Sequence, residues 1–180
     1  MNPINTFSIP GLETERLRLR AHLAADLPAS VAMWQQPAFH EFLGGSSPPE
    51  EEIWTKMLRH MGAWVLLGYG FWAVEEKASG AYIGAVGFSD WHRLITPSLA
   101  GYPEAGWVLA PRTHGRGYAT EAVAAILAWG DVQLPRKRTV CLIDPANAAS
   151  LRVAAKCGYR EFCRTLYKEQ PVVLLERLAV

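Results

Sequence analysis

The segment "RTHGRGYATEA", Arg112 to Ala122, constrains the chain more than any other. Gly115 and Gly117 stand one residue apart, Arg112 and Arg116 flank them, and a helix-compatible run follows without a break. The preceding "EAGWVLAP" reads as a strand closed by Pro111. A chain that passes from a strand through two glycines into a helix leaves the first-turn N–H groups without helical partners. Those groups and the helix dipole form an anion site, and glycine lets the backbone approach a phosphate closely. A phosphate cradle and a plain surface turn both satisfy this spacing. A Walker A loop requires Gly-Lys-Ser/Thr, which is absent, and a dinucleotide fingerprint requires a third glycine where Thr120 stands.

The remaining segments order themselves around this turn. "TERLRLRAH" alternates Leu17 and Leu19 with Arg16, Arg18 and Arg20, the pattern of a half-buried strand. "AADLPASVAMWQ" predicts a short helix with Asp26 near its start and Pro28 in its first turn. "SSPPEEEIWTKMLRHMGAWVLL" predicts a second, capped by Ser47, with three glutamates at its N-terminal end and a stripe of Ile53, Met57, Met61 and Trp64. "GFWAVEEK" and "GAYIGAVGFSDW" predict a hairpin turning at Ala78–Gly80, with "EAGWVLAP" as its third strand. "YATEAVAAILAWGDV" places Ala119, Val123, Ile126 and Leu127 on one helical face. "KRTVCLI" is a strand. "PANAASLRVAAKCG" is a helix capped by Asn147 and ended by Gly158, with Ser150, Val153, Ala154 and Cys157 on one face. "YREFCRTLYK" and "PVVLLERLAV" close the chain as strands. The order β-αα-βββ-α-β-α-ββ predicts one α/β or α+β domain over residues 1–180, with no repeat or linker.

Composition narrows the class. The 180 residues are half apolar and carry a formal net charge of +1, so no global charge draws the chain to nucleic acid or an acidic membrane. Cys141, Cys157 and Cys163 form no CxxC, and the five histidines show no zinc-like spacing, so no metal is expected. Reduced thiols and the absence of a secretory pattern at the N-terminus predict a cytoplasmic protein. "AWVLLGYGFWAV", the longest apolar stretch, is too short for a membrane span.

Arg112-x-x-Gly115-x-Gly117 resembles the Arg/Gln-x-x-Gly-x-Gly/Ala signature of the GNAT N-acetyltransferases. "EAGWVLAPRTHGRGYATEA", "NAASLRVAAKCGYRE" and the opening "ETERLRLR" further resemble the branch that acetylates alanine or serine N-termini of ribosomal proteins, and the likeness runs from about Thr14 to the end. The resemblance implies a mixed sheet of about seven strands, about four flanking helices and a splayed parallel pair formed by "EAGWVL" and "KRTVCLI". It implies acetyl-CoA as co-substrate. The pyrophosphate is expected on the amides of His114, Gly115, Arg116, Gly117, Tyr118 and Ala119, with the Thr120 hydroxyl. The pantetheine is expected along Val108 and Leu109, with Asn147 touching it.

Acetyl transfer needs a neutral amine, a polarised carbonyl and a departing thiolate. An α-amine, with a pKa of about 7.7–8.0, is partly neutral at neutral pH, whereas lysine near 10.4 needs about 4 kcal/mol more help. Glu104, where the branch often carries Glu, is the candidate base, acting through water. Asp90 and His92 are placed to line the acceptor mouth. Where many family members have a tyrosine acid, this chain has Ala154. Ser150 is the remaining hydroxyl for the thiolate, and the Leu109 N–H can polarise the carbonyl. Tyr159, Cys141 and Cys157 read as core residues, and Arg136, Lys137 and Arg138 as solvated.

The acceptor side is expected from the N-terminal helices and the loop after "GAVGFSDW", with Phe42, Trp54, Trp91 and His92 as lining. "WHRLITPSLAGYP" is long enough to shape a cleft or a dimer contact. The expected partners are a small amine or a protein N-terminus, for a monomer or homodimer. A non-catalytic acyl-CoA sensor of the same fold is the alternative.

Overall fold

A computed structural model describes residues 8–37 and 47–179. Among them the chain forms β1 (Leu12–Glu13), β2 (Leu17–Arg20), α1 (Leu27–Trp34), α2 (Glu50–Leu67), β3 (Phe71–Glu76), β4 (Ala81–Ser89), β5 (Glu104–Leu109), α3 (Tyr118–Gln133), β6 (Arg138–Ile143), α4 (Ala148–Lys156), β7 (Arg160–Tyr167) and β8 (Gln170–Leu178). The strands make one sheet in the order β1-β2-β3-β4-β5-β6-β8-β7. All neighbours are antiparallel except β5 and β6.

Alternation fixes which face each strand buries. Leu17 and Leu19 are fully buried while Arg18 between them is exposed. The main core holds Leu17, Leu19, Trp72, Val74, Ile83, Val86, Phe88 and Leu109 from the sheet against Ala122, Val123, Ile126 and Leu127 of α3. The indoles of Trp64 and Trp72 meet edge-to-face at 4.6 Å, and Trp129 stands 5.4 and 5.1 Å from them. Both buried indoles donate to carbonyls, Trp64 to Phe71 and Trp72 to Pro10. Trp72→Ala is therefore expected to cost about 3–5 kcal/mol, lowering the melting temperature by roughly 6–20 °C in a thermal melt.

The mixed sheet is as expected, with eight strands among the described residues; the one the periodicity did not show is the two-residue β1, which pairs Leu12 with Leu19 and is too short to show a period. One expectation needs correction: Ser47 does not cap α2. Pro48 and Pro49 hold the approach extended, so the cap position falls to Pro49 (φ −65°, ψ 159°), with no side-chain bond. Glu50, Glu51 and Glu52 occupy the first turn as expected, and Gly68 at φ 77° ends the helix. Phe42 lies outside the described residues.

Candidate active site

The parallel pair opens like a wedge. Glu104 of β5 pairs with Val140 of β6, and the Val140 N–H donates to Pro103 O at 3.0 Å. Beyond that point β5 keeps β4 on its other edge and pairs no further with β6, and on that side the Leu109 carbonyl meets the His114 ring. The phosphate-like turn stands at the open end, directly after β5.

Residues Pro111–Thr113 form a single 3-10 turn, in which the Thr113 and His114 N–H groups donate to Ala110 and Pro111 carbonyls at 2.8 and 2.9 Å. Gly115 and Gly117 then adopt φ of 73° and 82°, a region that disfavours any side chain. The first bond of α3 is Glu121 N–H to Gly117 O at 3.0 Å. Among the described residues, no backbone N–H from Gly115 through Thr120 donates a hydrogen bond. The free run thus begins one residue later than the sequence suggests, because the His114 amide is already used. The His114 ring instead bonds Leu109 O through Nε2 at 3.0 Å.

Two side chains that the periodicity did not single out, Glu76 and Glu121, hold this turn. Glu76, at the end of β3, accepts from the Tyr118 hydroxyl at 2.7 Å and from Ser79 at 2.7 Å. Arg112 and Arg116 reach within 3.8 and 3.9 Å of it. The Tyr118 hydroxyl bond, then that of Ser79, holds the Glu76 carboxyl below its usual range. Glu121 accepts from Thr14 Oγ1, the Arg16 N–H and Arg16 Nε at 2.5, 2.9 and 2.7 Å. Burial alone would raise Glu121, but these bonds carry it below the carboxylate range. Arg16 also donates to Arg116 O at 2.9 Å, tying the turn to the start of β2. The signal for these two was present as charged residues at element ends, but only tertiary contact gives them partners.

α4 follows the open end of β6. Asn147 caps it, its Oδ1 accepting the Ser150 N–H at 2.9 Å, which leaves the Asn147 amide NH₂ without a partner among the described residues. Ser150 is half-buried, and its hydroxyl makes no hydrogen bond among the described residues. Ala154 is fully buried. Tyr159 is a core residue whose hydroxyl meets Thr139 at 2.9 Å, Cys141 is buried, and the half-buried Cys157 lies 3.8 Å from Thr120 O. Burial pushes both thiols up, away from reactive thiolates.

Glu104 stands at the closed end, 6 % exposed, with both oxygens bonded to Arg93 at 2.8 Å. Burial raises its pKa even against that guanidinium. Asp90 ties its own loop, accepting from the Gly101 and His92 N–H groups at 2.7 and 3.1 Å. The His92 side chain is 78 % exposed, with Nε2 3.7 Å from Asp90. Trp91 packs 6.0 Å from the Phe71 ring, under Arg59 at 5.4 Å, whereas Trp54 lies nearer the start of α2 and is exposed. Arg136 and Lys137 are exposed, as a solvated run would be, while Arg136 and Arg138 stack on Tyr102 and Lys137 donates to Asp131 O.

A second polar cluster was not foreseen. His22 Nε2 and His60 Nδ1 are 3.3 Å apart, and the His60 ring stacks on Phe71 at 4.4 Å. Burial depresses both, His22 to about 4 and His60 to about 3. Unfolded histidine titrates near 6.5, so between that value and about 4 the unfolded chain binds more protons and stability falls as pH falls. At pH 5 the loss is about 2 kcal/mol per histidine at about 1.4 kcal/mol per unit. Urea midpoints measured from pH 7 to 5 should drop steeply in the native protein and less in the His22→Gln/His60→Gln double variant.

Among the described residues no cluster of His, Cys, Asp and Glu could hold a metal, and no helix is long and apolar enough to cross a membrane. Residues 16–160 match the acetyltransferase (GNAT) domain model. The chain is 34% identical to the uncharacterised protein YkkB of Bacillus subtilis over 61% of its own length and 63% of YkkB, and 26% identical to the N-acetyltransferase YoaA of the same organism over 84% of each. A solved GNAT-family acetyltransferase from Bordetella pertussis superposes with a TM-score of 0.83 at 32% identity, covering 94% of this chain and 99% of that one. More distant solved chains of the same fold include ribosomal-protein acetyltransferases and AAC(6')-Ib in complex with acetyl-CoA. The wedge, the glycine turn and these matches agree: the chain belongs to the GNAT family of acetyl-CoA-dependent acetyltransferases.

Proposed function

We propose that the chain is a single-domain N-acetyltransferase that moves the acetyl group of acetyl-CoA to a primary amine by direct attack in a ternary complex. The observation that carries this reading is the run of unpartnered N–H groups from Gly115 to Thr120 at the open end of the β5–β6 wedge. Charge-assisted bonds from such groups hold a pyrophosphate, with Arg112 and Arg116 adding charge from the rim and the Thr120 hydroxyl one more donor. The end of β5 that β6 leaves, at Val108 and Leu109, offers the pantetheine a strand to lie against, and the Asn147 NH₂ a further donor. The Leu109 N–H polarises the acetyl carbonyl as a single oxyanion donor. The Ser150 hydroxyl is free to donate to the departing sulfur, which at a thiol pKa of about 8.5 needs little acid help.

Glu104 takes the amine's proton through a water. Burial makes it a better base than a solvated carboxylate, and Arg93 fixes its orientation. Such a base suits an amine already partly neutral, which favours an α-amine or a small amine of lowered pKa over a free lysine. A small amine and a protein N-terminus both remain within this class, and the protein works as a monomer or homodimer in the cytoplasm.

The test is release of CoA thiol from acetyl-CoA, read with DTNB, against peptides with free Ala or Ser N-termini and a panel of small amines. Amine-dependent release is the expected result. Tight acetyl-CoA binding with no release for any amine would favour the sensor role instead.

A further inference from the structure

The long connection between β4 and β5 has a fixed path and carries one charge inward. Its Ile95, Leu99 and Tyr102 pack with Val140 of β6 and with Val172 and Leu174 of β8. Asp90 accepts the Gly101 N–H at 2.7 Å, which closes the connection on itself. So pinned, it delivers Arg93 to Glu104, the first residue of β5. The guanidinium does not meet that carboxyl unsupported. Its Cζ lies 4.9 Å from the centre of the Tyr167 ring, at the far end of β7, and 5.9 Å from that of Trp91. Tyr167 also shares a side-chain hydrogen bond with Arg93. Trp91 in turn takes Arg59 of α2 at 5.4 Å. Side chains from α2, the connection and β7 thus form a chain of rings and guanidinium groups that ends on Glu104.

We propose that Arg93 and Tyr167 are positioning residues for Glu104: Tyr167 holds the Arg93 guanidinium in place, and Arg93 keeps the Glu104 carboxylate aimed and charged. The assignment rests on the transferase reading with Glu104 as its base, and it adds a residue 63 positions away on another strand. An arginine side chain is long and loses rotamer freedom when fixed, and a ring face beside it limits that cost by restricting the guanidinium before the carboxylate arrives. The fork suits a working base. Nε bonds Oε2 and Nη2 bonds Oε1, both at 2.8 Å, so one acceptor position on each oxygen stays free for a water. The Glu104 side chain keeps 8 % of its surface open, which lets that water reach it. The titratable and charged groups around the carboxyl are few. Asp90 faces it from the end of β4, the buried Cys141 thiol from β6, and Glu176, held by Arg138, stands two strands over on β8. His60 of α2 lies beyond the Phe71 ring that covers Gly106. Burial and Asp90 push the carboxyl towards its neutral form, and Arg93 is the cation that opposes them.

The experiment follows the carboxyl and the reaction separately. Carbon-13 NMR of the full chain, labelled at glutamate Cδ, reads the Glu104 titration without any amine, the signal being assigned by its loss in Glu104→Gln. Thiol release from acetyl-CoA with an Ala-N-terminal peptide and the small-amine panel gives the pH–rate profile. In Arg93→Gln the carboxyl should titrate about 1–3 units higher, and the rising limb of the rate should move with it. Below the limb the rate then falls about tenfold per unit of displacement. Arg93→Lys, which keeps the charge without the fork, should return both towards the native position. Tyr167→Leu, at a half-buried strand end, should move both in the same direction by less. Adding Arg93→Gln to Glu104→Gln should cost no further activity, because Arg93 acts through that carboxyl. A titration and limb left in place by Arg93→Gln or Tyr167→Leu, with only the melting temperature lowered, overturns the assignment, as does a further loss in the double variant. A displaced titration in a native protein that acetylates no amine leaves Arg93 and Tyr167 assigned to Glu104 and overturns the transferase reading.

Discussion

Gly117→Val should lower kcat/KM for acetyl-CoA by about 10²–10⁴-fold while the protein stays folded. Gly117 caps α3 at φ 82°, where a β-branched residue is strained by about 1–2 kcal/mol. A side chain there meets only the Arg16 guanidinium, at a van der Waals distance of 3.4 Å, so the fold has room to accommodate it. The ligand does not have that room. A valine projects into the turn and re-aims the neighbouring N–H groups. Losing two charge-assisted bonds of about 1.5–3 kcal/mol each gives the stated factor. The melting temperature should fall by only a few degrees, at about 2–4 °C per kcal/mol. Steady-state thiol release with acetyl-CoA varied, beside a thermal melt, checks both halves. A melt unchanged together with an unchanged KM would mean that the turn binds nothing.

Glu104→Gln should lower kcat by about 10²–10⁴-fold with little change in the acetyl-CoA KM. Gln keeps the shape and can still accept one bond from Arg93, but it cannot take a proton. The sign with pH follows from burial: the native carboxyl has a raised pKa, so the native rate should climb as pH rises through that value, and the limb should vanish in the Gln variant. The folded state prefers this carboxyl protonated, so its contribution to stability is larger at low pH and declines as pH rises through the raised value. A loss of stability with an intact pH–rate limb would show that Glu104 only anchors Arg93 to β5.

The sequence made much of this legible because the decisive features are local. Two glycines before a helix, a strand closed by proline, and an asparagine three residues before the serine whose N–H it accepts are all visible at short range. The wedge itself came from family resemblance, since no single strand records where its neighbour leaves. Tertiary pairings were harder. Glu76 reads as a strand-end charge until Tyr118, 42 residues later, bonds to it, and Glu121 reads as an ordinary first-turn acid until Thr14 and Arg16 reach it. The pairing of Glu104 with Arg93 was hidden within a long loop whose path sequence does not fix. His22 and His60, each unremarkable alone, acquire chemistry only because α2 is laid beside the end of β2. The Ser47 expectation failed because two following prolines hold the backbone extended and move the helix start beyond the serine's reach.

The most direct measurement is a crystal structure of the protein with acetyl-CoA. The account predicts pyrophosphate oxygens within about 2.7–3.2 Å of the N–H groups between Gly115 and Thr120, and the acetyl group held between β5 and β6. Acetyl-CoA bound elsewhere, with those N–H groups facing solvent, would contradict it.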